Sequence, residues 1–158
     1  MSLNKKIIII YRNYKEKYDE QKIVKIRNFC KSLNRKFFLA NNIKLTLRLN
    51  LDGAYIPSFN RSLSVSCLKN RNITLIGSAH NLKEINEKKK QCLDLIVLAP
   101  IFDVPKTNKA LGVIRFNILS NQIKSQKVAL GGINLKNIKK LNMINCNGFA
   151  SISYVKES

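Results

Sequence analysis

Apolar runs of strand length alternate along this chain with stretches whose apolar positions recur every third or fourth residue. The first run, 6–12 (KIIIIYR), is a β-branched block between polar residues and predicts a fully buried strand. In 19–33 the apolar positions are Ile23, Ile26, Phe29, Cys30 and Leu33, the spacing of one helical face. Asp19 suits the N-cap, where a carboxylate accepts from free backbone N–H groups. Residues 37–40 predict a strand, 43–49 a short helix, and 53–56 a strand stopped by Pro57. The rhythm continues with a strand at 73–78, a helix at 81–91 capped by Asn81, and a strand at 93–99 ended by Pro100. A polar, lysine-rich loop spans 103–111. Helix 116–123, strand 128–130, helix 135–141 and strand 148–154 complete the series.

Buried strands alternating with helices imply a parallel sheet, either an open doubly wound one or a barrel. The phosphate-binding G-x-G-x-x-G that usually follows the first strand of a doubly wound nucleotide binder is absent. No internal repeat, low-complexity segment or linker divides the chain, so 1–158 reads as one domain.

Composition changes this picture little. Hydrophobic residues make up 45% and charged residues 24%, ordinary for a globular protein. No apolar run approaches the roughly 18–20 residues a membrane span needs, and the short run after Lys5-Lys6 lacks a small-residue cleavage site, so the expected location is the cytoplasm. Cys30, Cys67, Cys92 and Cys146 are widely separated, and His80 is the sole histidine, which argues against zinc and for reduced, mostly buried thiols. The net charge of +20 raises nucleic acid as a partner. Lysine is spread over the whole chain, however, with no nucleic-acid module or basic tail, so the charge reads as a global bias that also favours phosphorylated small molecules.

Several strand ends carry a recognisable series. Asp52-Gly53-Ala54-Tyr55-Ile56 is similar to a D-G-V-H-L strand, and Ile76 to Ile85 to an I-G-x-S-x-H-x-x-x-E segment. Asp94 to Phe102 is similar to D-Y-I-x-x-G-P-I-F, Ala129 to Ile133 to A-I-G-G-I with Asn137-Ile138 following, and Gly148 to Ser153 to G-V-A-V-V-S. Arg12 stands at the arginine of Q-L-R-E-K. In this order and spacing the segments resemble the thiamine phosphate synthase/TenI family over nearly the whole chain.

The resemblance implies an α/β fold of the (β/α)8 TIM-barrel type, with the site at the C-terminal ends of the strands. It also implies coupling of a hydroxymethylpyrimidine pyrophosphate to a thiazole phosphate with release of pyrophosphate, a transferase reaction assisted by Mg2+. By the same resemblance Arg12 binds the pyrophosphate, which a guanidinium suits, and Ser78 contacts it. Lys106, Thr107 and Lys109 supply the phosphate-binding loop. Gly131, Gly132, Ile152 and Ser153 end the last two strands and cradle the thiazole phosphate through backbone N–H groups. His80 matches the general acid–base of TenI-type thiazole tautomerases. Each has a plainer alternative: a rim arginine, a tight glycine turn, a structural histidine.

The chain departs from the family at both metal positions, where Asn41 and Asn60 replace carboxylates. Asparagine brings a carbonyl oxygen but no negative charge, and magnesium is usually held by at least one carboxylate. The glutamine and lysine of Q-L-R-E-K fall on Ile10 and Tyr14, with Lys15 displaced by one position. The match begins at the family's second strand, so the expectation is a barrel lacking its first βα unit and most of its last helix. Either an upstream segment of about 30 residues belongs to the protein, or the barrel is open, or another chain, as in a homo-oligomer, closes it. Three readings follow: a synthase-like enzyme, a tautomerase using His80, and a non-catalytic binder of a phosphorylated ligand.

Overall fold

Seven parallel strands lie side by side in chain order in this computed structural model, which describes residues 7–14, 16–68, 72–105 and 109–151. The strands are β1 (Ile8–Tyr11), β2 (Lys36–Ala40), β3 (Gly53–Ile56), β4 (Thr74–Ala79), β5 (Leu95–Leu98), β6 (Gln126–Leu130) and β7 (Gly148–Ala150). The helices between them are α1 (Glu20–Ser32), α2 (Ile43–Arg48), α3 (Leu82–Lys90) and α4 (Gly112–Ser120), joined by 3-10 segments at Leu63–Leu68 and Ile138–Met143. Strictly sequential order in an all-parallel sheet is the order of a barrel wall, since a doubly wound sheet reverses direction once. The sheet is a curled partial barrel whose edges are β1 and β7.

Strand alternation sorts the side chains onto two faces. Phe38, Ala40, Tyr55, Ile76, Leu95 and Val97 pack together with Ile10, Val128 and Leu130 on one face. Register couples them strand to strand: Ile10 lies beside Phe38, Ala40 beside Tyr55, and Ile76 beside Leu95. Gly53 belongs to this row, where a Cβ would collide with the Phe38 ring and the Thr74 carbonyl. On the other face Phe37 and Leu39 meet Ile23 and Cys30 of α1. Ile96 and Leu98 meet Phe116 and Leu119 of α4. Full burial of a side chain such as Phe37 or Ile23 stabilises by about 1.5–3 kcal/mol.

Asp19 and Asn81 are N-caps as expected, accepting from the backbone N–H groups of Lys22 (3.2 Å) and Glu84 (3.0 Å). Asp52 and Asp94, both in motif segments, accept from Phe37 N–H (2.9 Å) and Leu75 N–H (2.8 Å). They pin neighbouring strands at the N-terminal end of the sheet, away from the site.

Four expected elements differ. The first strand is not fully buried: β1 is an edge strand, with Ile8 exposed and Ile9, Ile10 and Tyr11 half-buried, because no strand pairs on its outer side among the described residues. Helix 116–123 is α4 and begins at Gly112, because Ile114 and Ile118 on its exposed face blur the apolar stripe. Helix 135–141 is instead the 3-10 segment Ile138–Met143. There Asn134 Oδ1 accepts from Lys136 N–H and Asn137 N–H, and Asn137 Oδ1 from Asn134 N–H, so side chains take donors a helix would have used. The thiols are not mostly buried: Cys67 and Cys92 are exposed, Cys30 is buried. Cys92 has φ +54° just past α3, a left-handed position that places its side chain at the surface. Strand 148–154 is strand from Gly148 to Ala150, and residues 152–154 lie outside the described residues.

Candidate functional site

The C-terminal ends of β1 to β6 gather most of the family-matching residues at one mouth. Arg12 follows β1 directly, is exposed, and forms no ion pair among the described residues. Tyr14, two residues on, meets Phe59 edge-to-face with ring centroids 5.5 Å apart. Burial pushes the Tyr14 hydroxyl up to about 12, with Tyr55 adding to the rise and Arg12 opposing it. Tyr18 fastens the same turn, donating to Ala40 O (2.7 Å) and accepting from Asn13 N–H (3.3 Å). Arg12 therefore leaves the sheet on a turn braced from two sides.

Asn41 and Asn60 are brought into direct contact. Asn60 Nδ2 donates to Asn41 Oδ1 at 2.7 Å, and Asn60 Oδ1 accepts from Ser62 N–H at 3.0 Å. Both amide oxygens are thus engaged, and neither side chain carries charge. Two carboxylates so close would repel and invite a cation; two amides satisfy each other. Among the described residues no three histidine, cysteine or acidic side chains cluster where they could hold a metal ion. This donor set does not fit magnesium, which the resemblance had implied.

Ser78 sits near the end of β4, buried, on the same strand face as Ile76. Its hydroxyl makes no hydrogen bond to any described residue. His80, just past β4, is half-exposed, and its Nδ1 lies 2.8 Å from Glu84 Oε2, which also accepts from His80 N–H at 2.8 Å. Burial pushes the Glu84 carboxyl up, but the hydrogen bonds from His80 and Asn81 outweigh it and hold the group below its usual range. His80 borders a cleft of about 530 Å3, lined also by Pro100, Lys109 and Arg115. Larger clefts, of about 650 and 630 Å3, open at the opposite, N-terminal end of the sheet on the side of Asp52. None of the candidate site residues lines them, and in barrels of this kind chemistry belongs to the C-terminal end.

Gly131 and Gly132 form the turn after β6, with φ of +103° and +68°. A Cβ on Gly131 would stand 2.7 Å from Pro100 Cβ, and one on Gly132 2.5 Å from Asp103 O. The close approach these glycines allow is thus to the loop after β5 of their own chain. Phe102 N–H donates to Gly131 O (3.1 Å), and Asn137 Nδ2 to Gly132 O (2.7 Å). Lys106, Thr107, Ile152, Ser153 and Lys15 lie outside the described residues.

Sequence reasoning passed over one group entirely. Lys88 and Gln91 of the α3 region are fully buried and bind the loop that carries Asn60. The only signal available was that Lys88 falls at helical spacing from Ile85, on the apolar face of α3, and the surrounding lysines hid it.

The order of the strands defines a partial barrel of the TIM type, with the candidate residues at the C-terminal ends of its strands. Residues 4–155 match the family model described as thiamine monophosphate synthase, and the chain belongs to that family. It is 28% identical over 155 residues to a thiamine-phosphate synthase of Prochlorococcus marinus strain AS9601, covering 94% of this chain and 43% of that protein. It is 25% identical over 132 residues to the thiamine-phosphate synthase of Pyrococcus horikoshii, covering 82% and 64%. A thiamine phosphate pyrophosphorylase from Pyrococcus furiosus shares the fold with a TM-score of 0.73 at 19% identity, over 94% of this chain and 72% of that one. The chain therefore spans less than two thirds of the length of these two curated relatives. Among the described residues no helix is long and apolar enough to cross a membrane.

Proposed function

We propose that the chain is a thiamine-phosphate-synthase-like protein of thiamine biosynthesis. Its mouth takes a hydroxymethylpyrimidine pyrophosphate and a thiazole phosphate and couples them with release of pyrophosphate. The observation that carries this reading is the gathering of Arg12, Ser78 and the Gly131–Gly132 turn at one end of a sequential parallel sheet.

In such a coupling the bond from the pyrimidine methylene carbon to the pyrophosphate oxygen breaks, and its electron pair leaves with the pyrophosphate. The thiazole nitrogen then attacks the electron-poor carbon. Arg12, free of ion pairs among the described residues, offers a two-pronged donor to the departing oxygens. Lys109, with Lys106 and Thr107 of the same loop, adds charge and a hydroxyl for phosphate. Ser78 offers its hydroxyl, which bonds to no described residue, to the pyrophosphate, and Gly131 and Gly132, with Ile152 and Ser153, offer backbone N–H groups to the thiazole phosphate. No step is assigned to magnesium, because Asn41 and Asn60 bind each other.

The test is product formation from both substrates, with magnesium and with EDTA. Expected is turnover that EDTA leaves unchanged and that Arg12→Ala lowers about tenfold or more. Thiazole phosphate binding without product under any condition would overturn the coupling reading and leave a binder. A second reading has its own support, the His80–Glu84 pair beside the Lys109–Arg115 cleft. With Nδ1 held by Glu84, Nε2 would be the atom that moves a proton during thiazole tautomerisation. His80→Ala would abolish that activity and leave coupling largely intact.

A further inference from the structure

Lys88 is the only charged side chain that is fully buried among the described residues. Its Nζ donates to Pro57 O (2.8 Å), Asn60 O (2.7 Å) and Gln91 Oε1 (3.0 Å). Gln91 Nε2 in turn donates to Asn60 O (3.0 Å) and Ser62 O (2.9 Å). Among the described residues no carboxylate bonds to the ammonium; the neighbouring Glu87 is turned to Arg61, at 3.3 Å. Enclosing an ammonium with no carboxylate bonded to it is expensive, and an apolar side chain would fill the space at lower cost. What only the ammonium supplies is three donors, of which two reach both ends of the turn 57–60.

That turn carries two mouth contacts. Phe59 projects to Tyr14, the neighbour of Arg12, and Asn60 bonds to Asn41 at the end of β2. The buried face of the loop is thus gripped from α3 while its outer face braces the ends of β1 and β2.

We propose that Lys88, seconded by Gln91, is a positioning residue for the mouth, fixing the 57–62 loop so that Phe59 and Asn60 hold the Arg12 turn and the end of β2 in register. It touches no ligand and acts through Asn60 and Phe59. Its effect on ligand affinity rests on the reading of this mouth as a phosphate site; its effect on the loop does not.

The deciding measurement needs no ligand. The side-chain amide signals of Asn41 and Asn60 are recorded by NMR for the full chain and for Lys88→Met, which keeps the stem and removes the donors. Expected is a cooperatively folded variant in which both amide signals move to solvent-like positions while those of Asn134 and Asn137 stay. Lys88→Arg should restore them in part. Unchanged Asn41 and Asn60 signals in Lys88→Met would overturn the inference. Should that variant fail to fold, Gln91→Met keeps the charge and removes two donations to the loop. The same shifts are expected there, and their absence would overturn the inference equally. Calorimetry with inorganic pyrophosphate is the second arm, with affinity expected to fall about tenfold in Lys88→Met, the weight of one ordering hydrogen bond. Wild-type protein that binds no pyrophosphate while the amide signals move in the variant would sink the proposed function and leave the positioning role standing.

Discussion

Asn60 donates a hydrogen bond to Asn41 across 2.7 Å, joining the loop after β3 to the end of β2 at the two positions that the sequence resemblance matched to metal carboxylates. The two amides are complementary, one donating and the other accepting, so the contact needs no ion. Changing either residue alone breaks a complementary pair; changing both to acids recreates repulsion that only a cation relieves.

Asn41→Asp with Asn60→Asp should therefore be less stable than wild type in EDTA by about 1–2 kcal/mol, from the lost hydrogen bond and the facing charges. Magnesium should raise its melting temperature and leave that of the wild type unchanged. Thermal unfolding with and without magnesium checks this. A variant indifferent to magnesium would mean that the loop no longer brings the two positions close enough to share an ion.

Gly131→Ala should cost about 1–3 kcal/mol, since it combines a φ of +103° with a Cβ only 2.7 Å from Pro100 Cβ and 2.9 Å from Pro100 Cα. Gly148→Ala, where nothing lies within 4 Å of the added carbon, should change stability by no more than about 0.5 kcal/mol. Denaturant unfolding of the two variants side by side separates the positions.

Glu84 contributes stability that depends on its charge. Its folded carboxyl titrates below the ordinary value of 4.5, despite burial, because of the bonds from His80 and Asn81. A depressed folded value means that the stabilisation is present above 4.5 and is lost as pH falls through the folded value. Glu84→Gln should be less stable than wild type at pH 6 by about 1 kcal/mol, and the difference should shrink toward pH 3. Urea midpoints at the two pH values give the answer.

Lys88 should produce a pH dependence of the same sign in a more alkaline window, here because burial disfavours the charged form. Burial lowers its value from 10.5 to about 8, with Glu87 and Glu84 opposing the fall and Arg61 adding to it. Between about 8 and 10.5 the unfolded chain holds more protons than the folded one, so stability rises with pH across that window. The urea midpoint of wild type should climb relative to that of Lys88→Met between pH 8 and 10. Parallel curves would show that the ammonium titrates as if in water.

The architecture was legible because strand runs and helical spacings are local signals. The limits of β3 were read residue for residue, and the caps at Asp19 and Asn81 follow from side chains that reach only three residues ahead. Where local signals mislead, a competing interaction is visible: Asn134 and Asn137 bind the backbone of their own turn, and the outward Ile114 and Ile118 obscure the start of α4. Family motifs pointed to Arg12, Ser78, His80 and the Gly131–Gly132 turn, all at one end of the sheet, while Asp52 and Asp94, which open two of the motif segments, bond to Phe37 and Leu75 at the other end.

Sequence alone determined the family, the alternation of strand and helix, and the presence of uncharged amides at positions 41 and 60, because each is written in residue type and order. Only the tertiary structure decided that those asparagines bind each other, that His80 is held by Glu84, and that Lys88 is the buried support of the loop between β3 and β4. The Asn41–Asn60 and Lys88–Asn60 contacts join residues 19 and 28 positions apart, and their distances are set by how parallel strands and α3 pack, which no local pattern encodes.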